Sequence, residues 1–207
     1  MRNRLTKILL SGGAAALAVS LTATTAGATT ATTWSVSPGG AISISGSAQV
    51  KDESTGTIAK CTSISLTGTL KSGTGLSGTN LGSVSAGTFT GCTIATIAIT
   101  VKTEDLPWHV DALSYNKTTE VATGKLVGVE LLATATGCTA TLAGSTASNG
   151  YTKCTYSNKT GKLALVGAGG TLENLAVTGC FGLENQGDKQ EASGSTTLTP
   201  KQSIVGS

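Results

Sequence analysis

The chain has 207 residues, 14 basic and 11 acidic, and only 3% of it is aromatic. Without Arg2, Arg4 and Lys7 near the N-terminus, the 14 basic residues fall to 11, which matches the 11 acidic ones and leaves no arginine. That argues against nucleic acid as a partner, because such binding uses clustered cations and the planar guanidinium. Average hydropathy without net charge also separates residues 29–207 from disordered chains.

In chain order, residues 1–28 are expected to be a signal peptide. Arg2, Arg4 and Lys7 form a positive n-region, Ile8 to Leu21 an apolar run, and Ala26-Gly27-Ala28 the small-x-small cleavage pattern. The apolar run falls short of the roughly 20 residues that a membrane-spanning helix needs. Cleavage is placed after Ala28. The expected destination is secreted, extracellular or cell-wall associated, with no transmembrane segment in the mature chain.

Residues 29–207 then read as a single β-rich domain, long enough to bury roughly 70% of its unfolded surface. Ile42, Ile44, Gly46, Ala48 and Val50 alternate with Ser43, Ser45, Ser47 and Gln49. Strict period-two alternation predicts a half-buried strand. Ile64, Leu66 and Leu70 continue the pattern, followed by Ile97, Ile99 and Val101, then Val127, Val129, Leu131 and Ala133. Further strands are expected at Leu163 and Leu165, Leu175 and Val177, Thr196 to Leu198, and Ile204-Val205. Turn-rich breaks at 72–80, 114–119, 145–150 and 167–170 separate them. No amphipathic helix is evident. The predicted fold is all-β, an antiparallel sandwich or barrel of roughly ten or more short strands. A membrane barrel would want aromatic girdles, and residues 29–207 hold too few aromatics.

Three of the five cysteines sit in one frame: Thr90-Gly91-Cys92, Thr136-Gly137-Cys138 and Thr178-Gly179-Cys180. Aligned on them, the chain divides into two similar segments, about 34–103 and 112–207. Each runs from Cys-Thr through Gly-rich turns to Thr-Gly-Cys. An oxidising destination favours paired cysteines. The repeat selects Cys61–Cys92 and Cys138–Cys180 and leaves Cys154 a free thiol, whereas proximity alone favours Cys138–Cys154. Glycine before each cysteine would relax the backbone at a strand end and let a neighbour approach. His109 is the sole histidine and no CxxC occurs, so zinc spacing is absent and no cofactor or metal is expected.

Leu106-Pro107-Trp108-His109 gathers a tryptophan and the histidine, with Glu104, Asp105 and Asp111 beside them. In a binding role, Trp108, His109 and Asp111 would anchor a carbohydrate or peptide at the cell surface. In a catalytic role, His109 would be the general base of a small hydrolase, though no GxSxG elbow accompanies it. The bland alternative is a loop in which Leu106 and Trp108 plug one end of the core. Gly73-Thr74-Gly75-Leu76-Ser77-Gly78 matches GxGxxG, but no helix start follows, so it reads as a turn. Asn116-Lys117-Thr118 and Asn158-Lys159-Thr160 fit the glycosylation sequon.

Trp34-Ser35-Val36-Ser37-Pro38-Gly39-Gly40, Leu106-Pro107-Trp108, Thr178-Gly179-Cys180, Gly187-Asp188 and Lys201-Gln202-Ser203-Ile204 together give the chain its family look. It resembles a group of small, signal-peptide-bearing, Gly/Ser/Thr-rich exported proteins of actinomycetes. The resemblance implies export and β architecture, and carries over no functional residues. Cys154 departs from that pattern. The expectation is an exported, non-enzymatic β-domain with a binding or structural role at or outside the cell surface. The alternatives are self-association of low-charge strands into fibres and the His109 hydrolase.

Overall fold

The computed structural model describes residues 29–31, 33–146 and 149–207. The expected signal peptide lies outside the described residues. The first strands are β1 (Thr29–Thr30), β2 (Trp34–Ser37), β3 (Gly40–Asp52), β4 (Ile58–Leu70), β5 (Gly73–Leu76) and β6 (Gly82–Ile94). Next come β7 (Ile97–Ala98), β8 (Thr100–Glu104), β9 (Trp108–Asn116), β10 (Val121–Val127), β11 (Glu130–Ala135) and β12 (Cys138–Ala143). The last are β13 (Tyr151–Ser157), β14 (Lys162–Val166), β15 (Glu173–Gly179), β16 (Gln190–Thr199) and β17 (Ser203–Gly206). A 3-10 turn spans Cys180–Gly182. The expected all-β, antiparallel class with two disulfides is therefore present.

The main sheet closes on itself. Its order runs β9-β10-β13-β14-β16-β3-β4-β6, and β6 pairs back onto β9 through Gly82–Val110, Ser83–His109 and Val84–Trp108. All pairings are antiparallel, giving a barrel with its ladder hydrogen bonds satisfied around the ring. The alternation on β3 does what was expected: Ile42 and Ile44 are buried inside, while Ser45, Ser47 and Gln49 face solvent. Ser63, Ser65, Thr67 and Thr69 make the same exposed face on β4. A polar outer face is the inverse of a lipid-facing barrel wall.

The two ends differ. At one end a small sheet, ordered β17-β2-β5, closes the barrel with Trp34, 1% exposed. Burying an indole removes roughly 200 Å² of surface, a gross stabilisation of about 5 kcal/mol. Polar clamps hold this plug. Tyr156 Oη donates to the Gln202 carbonyl and accepts from the Gln202 N–H, both at 2.9 Å. Asn158 Nδ2 donates to the Ile204 carbonyl, and its Oδ1 accepts from the Ile204 N–H, both at 2.9 Å. At the other end β3, β4 and β6 run past the β6–β9 contact. There they face a four-stranded sheet ordered β15-β12-β11-β8. The barrel thus continues into a two-layer sandwich.

Some segments depart from the expected pattern for physical reasons. The GxGxxG stretch supplies β5, an edge strand paired with β2, and Gly78 just beyond that strand lies against Trp34, where a Cβ would come within 2.8 Å of the indole nitrogen. The Ile97–Val101 run breaks into β7 and β8, and the Val127–Ala133 run divides around Gly128 (φ 77°). The segment starting at Trp108 is barrel strand β9 rather than a loop.

The repeated frame has a common backbone cause. Gly91, Gly137 and Gly179 all adopt left-handed φ, at 60°, 72° and 76°. At Gly179 a Cβ would strike the Gly137 carbonyl oxygen, and at Gly91 it would strike the Thr62 hydroxyl. Only glycine supplies that turn together with that approach. Cys61 and Cys92 then face each other directly across β4 and β6, with Cα atoms 4.0 Å apart. Cys138, opening β12 of the four-stranded sheet, bridges Cys180 at the start of the 3-10 turn, with Cα atoms 4.2 Å apart. Cys154 is free and buried.

Candidate functional site

The barrel interior is not filled. A cavity of about 170 Å³ lies where the barrel meets the sandwich, lined almost entirely by apolar side chains. Barrel residues Val84, Trp108, Leu163 and Leu165 contribute from one side, and Leu131 and Ala140 from the four-stranded sheet. The sequence leaves this space by its choice of inward residues. Around one ring of the barrel, successive cross-strand partners are Gly124, Cys154, Leu165, Gly194, Ala48 and Cys61. Small groups dominate that ring, so a volume the larger aliphatics would occupy stays open.

One wall is polar. Asn174 on β15, Glu184 on the loop after the 3-10 turn, and Gln190 at the start of β16 line it. Asp52, wholly buried at the end of β3, stands next to them. Asn174 Nδ2 donates to Glu184 Oε2 at 2.6 Å. Gln190 Nε2 donates to both Glu184 Oε2 and Asp52 Oδ2 at 2.9 Å. Asp52 Oδ1 also accepts the N–H groups of Ser54 at 2.7 Å and Thr55 at 2.8 Å. Burial works to raise the Asp52 carboxyl, but the Thr55 and Ser54 N–H groups and its side-chain partners outweigh it and hold the value below normal. Glu184 goes the other way. Burial first, and then the Asp52 carboxylate, push it up to about 7, against the opposing Asn174 and Gln190 bonds. Glu184 therefore keeps its proton in mildly acidic solution and shares it with ionised Asp52.

Two further groups face inward from β13. Cys154 is buried, and burial pushes its thiol up to about 12, so it is a poor nucleophile at neutral pH. Thr152, two residues away on the same face, is 4% exposed, and its hydroxyl has no hydrogen-bond partner among the described residues.

The residues singled out from sequence do not converge. Trp108 is 2% exposed and lines the cavity, and its indole N–H donates to the Glu104 carbonyl at 3.0 Å. His109, next along β9, points to the opposite face and is exposed. Asp111 is engaged by Lys125 at 3.5 Å and accepts the Asn80 N–H at 2.8 Å. Of the sequons, Asn158 is committed to its Ile204 clamp, and Asn116 Oδ1 accepts the N–H groups of Thr118 and Thr119. Among the described residues no group of three His, Cys, Asp or Glu is arranged around a metal position. No helix among them is long and apolar enough to cross a membrane.

The acid cluster escaped sequence reasoning because its members are remote. Gln190 and Asp52 are 138 residues apart. One local signal existed. In Glu173–Gly179 the buried residue is Asn174, while Leu175 and Val177 are half-buried. A register shift between Thr141 and Leu142 turns Asn174 inward. Comparison with protein-family models, with curated proteins and with solved structures finds no match.

Proposed function

We propose that this chain is an exported, non-enzymatic binding protein that carries a small apolar molecule inside its barrel, acting at or outside the cell surface. The observation that carries the reading is the 170 Å³ interior cavity with its apolar walls and one polar side. Concave apolar sites with a few fixed polar groups are the usual form of small-molecule pockets. Export is supported by the basic and apolar pattern of residues 1–28 and by the two disulfides, which suit oxidising surroundings. An apolar ligand is favoured over carbohydrate or peptide because Trp108 turns its ring into the cavity rather than toward solvent. Binding is favoured over fibre assembly because barrel closure leaves the long alternating strands β3 and β4 no free edge.

Methyl-resolved NMR with benzene as probe tests the reading. Leu163, Leu165 and Val84 methyls should shift with saturation, while those of exposed Leu113 and Val166 stay still. Uniform surface shifts, or none, would reject an interior site.

A further inference from the structure

Resting on the interior-binding reading, we infer that the ligand carries a single hydrogen-bonding group, a hydroxyl or carbonyl, on a body the size of one ring or a short alkyl chain. Thr152 anchors that group. Size follows from volume. A cavity of about 150 Å³ lined by Leu, Ile and Phe stays dry and takes benzene, and this one measures about 170 Å³.

The polar requirement follows from an unsatisfied bond. A buried hydroxyl without a partner is costly, and native interiors rarely keep one without a use. Thr196 shows the ordinary solution on the same barrel, its hydroxyl donating to the Leu163 carbonyl at 2.9 Å. Thr152 lines the cavity, is 4% exposed, and has no such bond among the described residues. Rotation about χ1 moves a threonine hydroxyl between staggered positions, and it can donate or accept. A ligand group arriving beside it supplies the missing partner. The carboxyl wall does not compete for this role, because Gln190 Nε2 and Asn174 Nδ2 already donate to Glu184, and three N–H donors already serve Asp52. Cys154, on the same face of β13, offers only a weak donor.

Phenol and benzene, matched in body and differing by one hydroxyl, are the probes, titrated calorimetrically into the full chain. Thr152→Val keeps the shape and deletes the hydroxyl, and Thr155→Val, on the outward side of the same strand, is the control. Thr152→Val should weaken phenol by about ten-fold, the size of one buried hydrogen bond, and leave benzene within about two-fold. Its thermal midpoint should hold or rise, since an unpaired hydroxyl has been removed. Benzene binding with phenol affinity untouched by Thr152→Val would overturn the Thr152 anchor and leave the interior site standing. Failure of both probes on the native chain would overturn the interior site itself.

Discussion

Asp52→Ala is expected to cost about 3 kcal/mol of folding stability in denaturant titration at neutral pH. The side chain is wholly buried and accepts from Ser54, Thr55 and Gln190. Removing it strands three donors, and bonds to a charged acceptor are among the stronger ones. The β3–β4 turn also loses the fold-back of Ser54 and Thr55 that sets its shape. The neighbouring carboxyl gives the same cluster a pH signature. Glu184 is raised from 4.5 to about 7, so its contribution is complete below about 4.5 and disappears as pH climbs through about 7. That difference corresponds to about 3 kcal/mol across the window. Asp52, held below its ordinary 3.8, contributes in the opposite sense, fully above that value and less as pH falls through its folded value. Stability should therefore be greatest in mildly acidic solution and decline toward pH 8. Glu184→Gln, whose amide can donate to Asp52 as the protonated acid does, should abolish the decline. A native chain whose stability is flat from pH 4.5 to 8 would contradict the shared-proton arrangement.

The second large effect concerns the bridge beside that cluster. Replacing Cys138 and Cys180 together by serine should cost about 4 kcal/mol, the chain-entropy value for the 42-residue separation. Cys180 opens the segment that carries Glu184, and Thr55 Oγ1 donates to the Leu183 carbonyl at 3.1 Å to tie that segment to the β3–β4 turn. Releasing the bridge should therefore also let Glu184 titrate closer to its ordinary value. Cys154 provides the readout. Buried and raised to about 12, it should resist thiol reagents in the native chain and become reactive as the double variant opens. Equal labelling rates in native and variant chains at neutral pH would show that the bridge does not restrain the barrel.

How much of this was legible depends on what each strand buries. Ile42, Ile44, Ile64 and Leu66 announce themselves because large aliphatics alternate with Ser and Thr. β13 does not, since its inward row is Thr152, Cys154 and Tyr156, which reads as polar or mixed. The open space requires small or polar inward groups on some strands, so the feature that makes the cavity also hides those strands from a hydrophobic-pattern search. The disulfides were legible through the repeated Thr-Gly-Cys frame, because the left-handed glycine and the bridged cysteine form one local unit. The sequence offers Trp108 as a surface anchor or as buried packing at one end of the core; the structure buries it, in the cavity lining, and Trp34 plugs the opposite end. Single-residue distinctiveness does not tell which side of a strand faces inward. The acid cluster needs the closure of β3 onto β16, with Gln190 opposite Asp52, before its members meet.

Xenon-pressurised crystals give the most direct test, because xenon enters dry apolar cavities and needs no knowledge of the natural ligand. The expected result is xenon bound inside the barrel against Leu163 and Leu165, close to Thr152. An interior filled by repacked side chains, with xenon only on the outer surface, would contradict it.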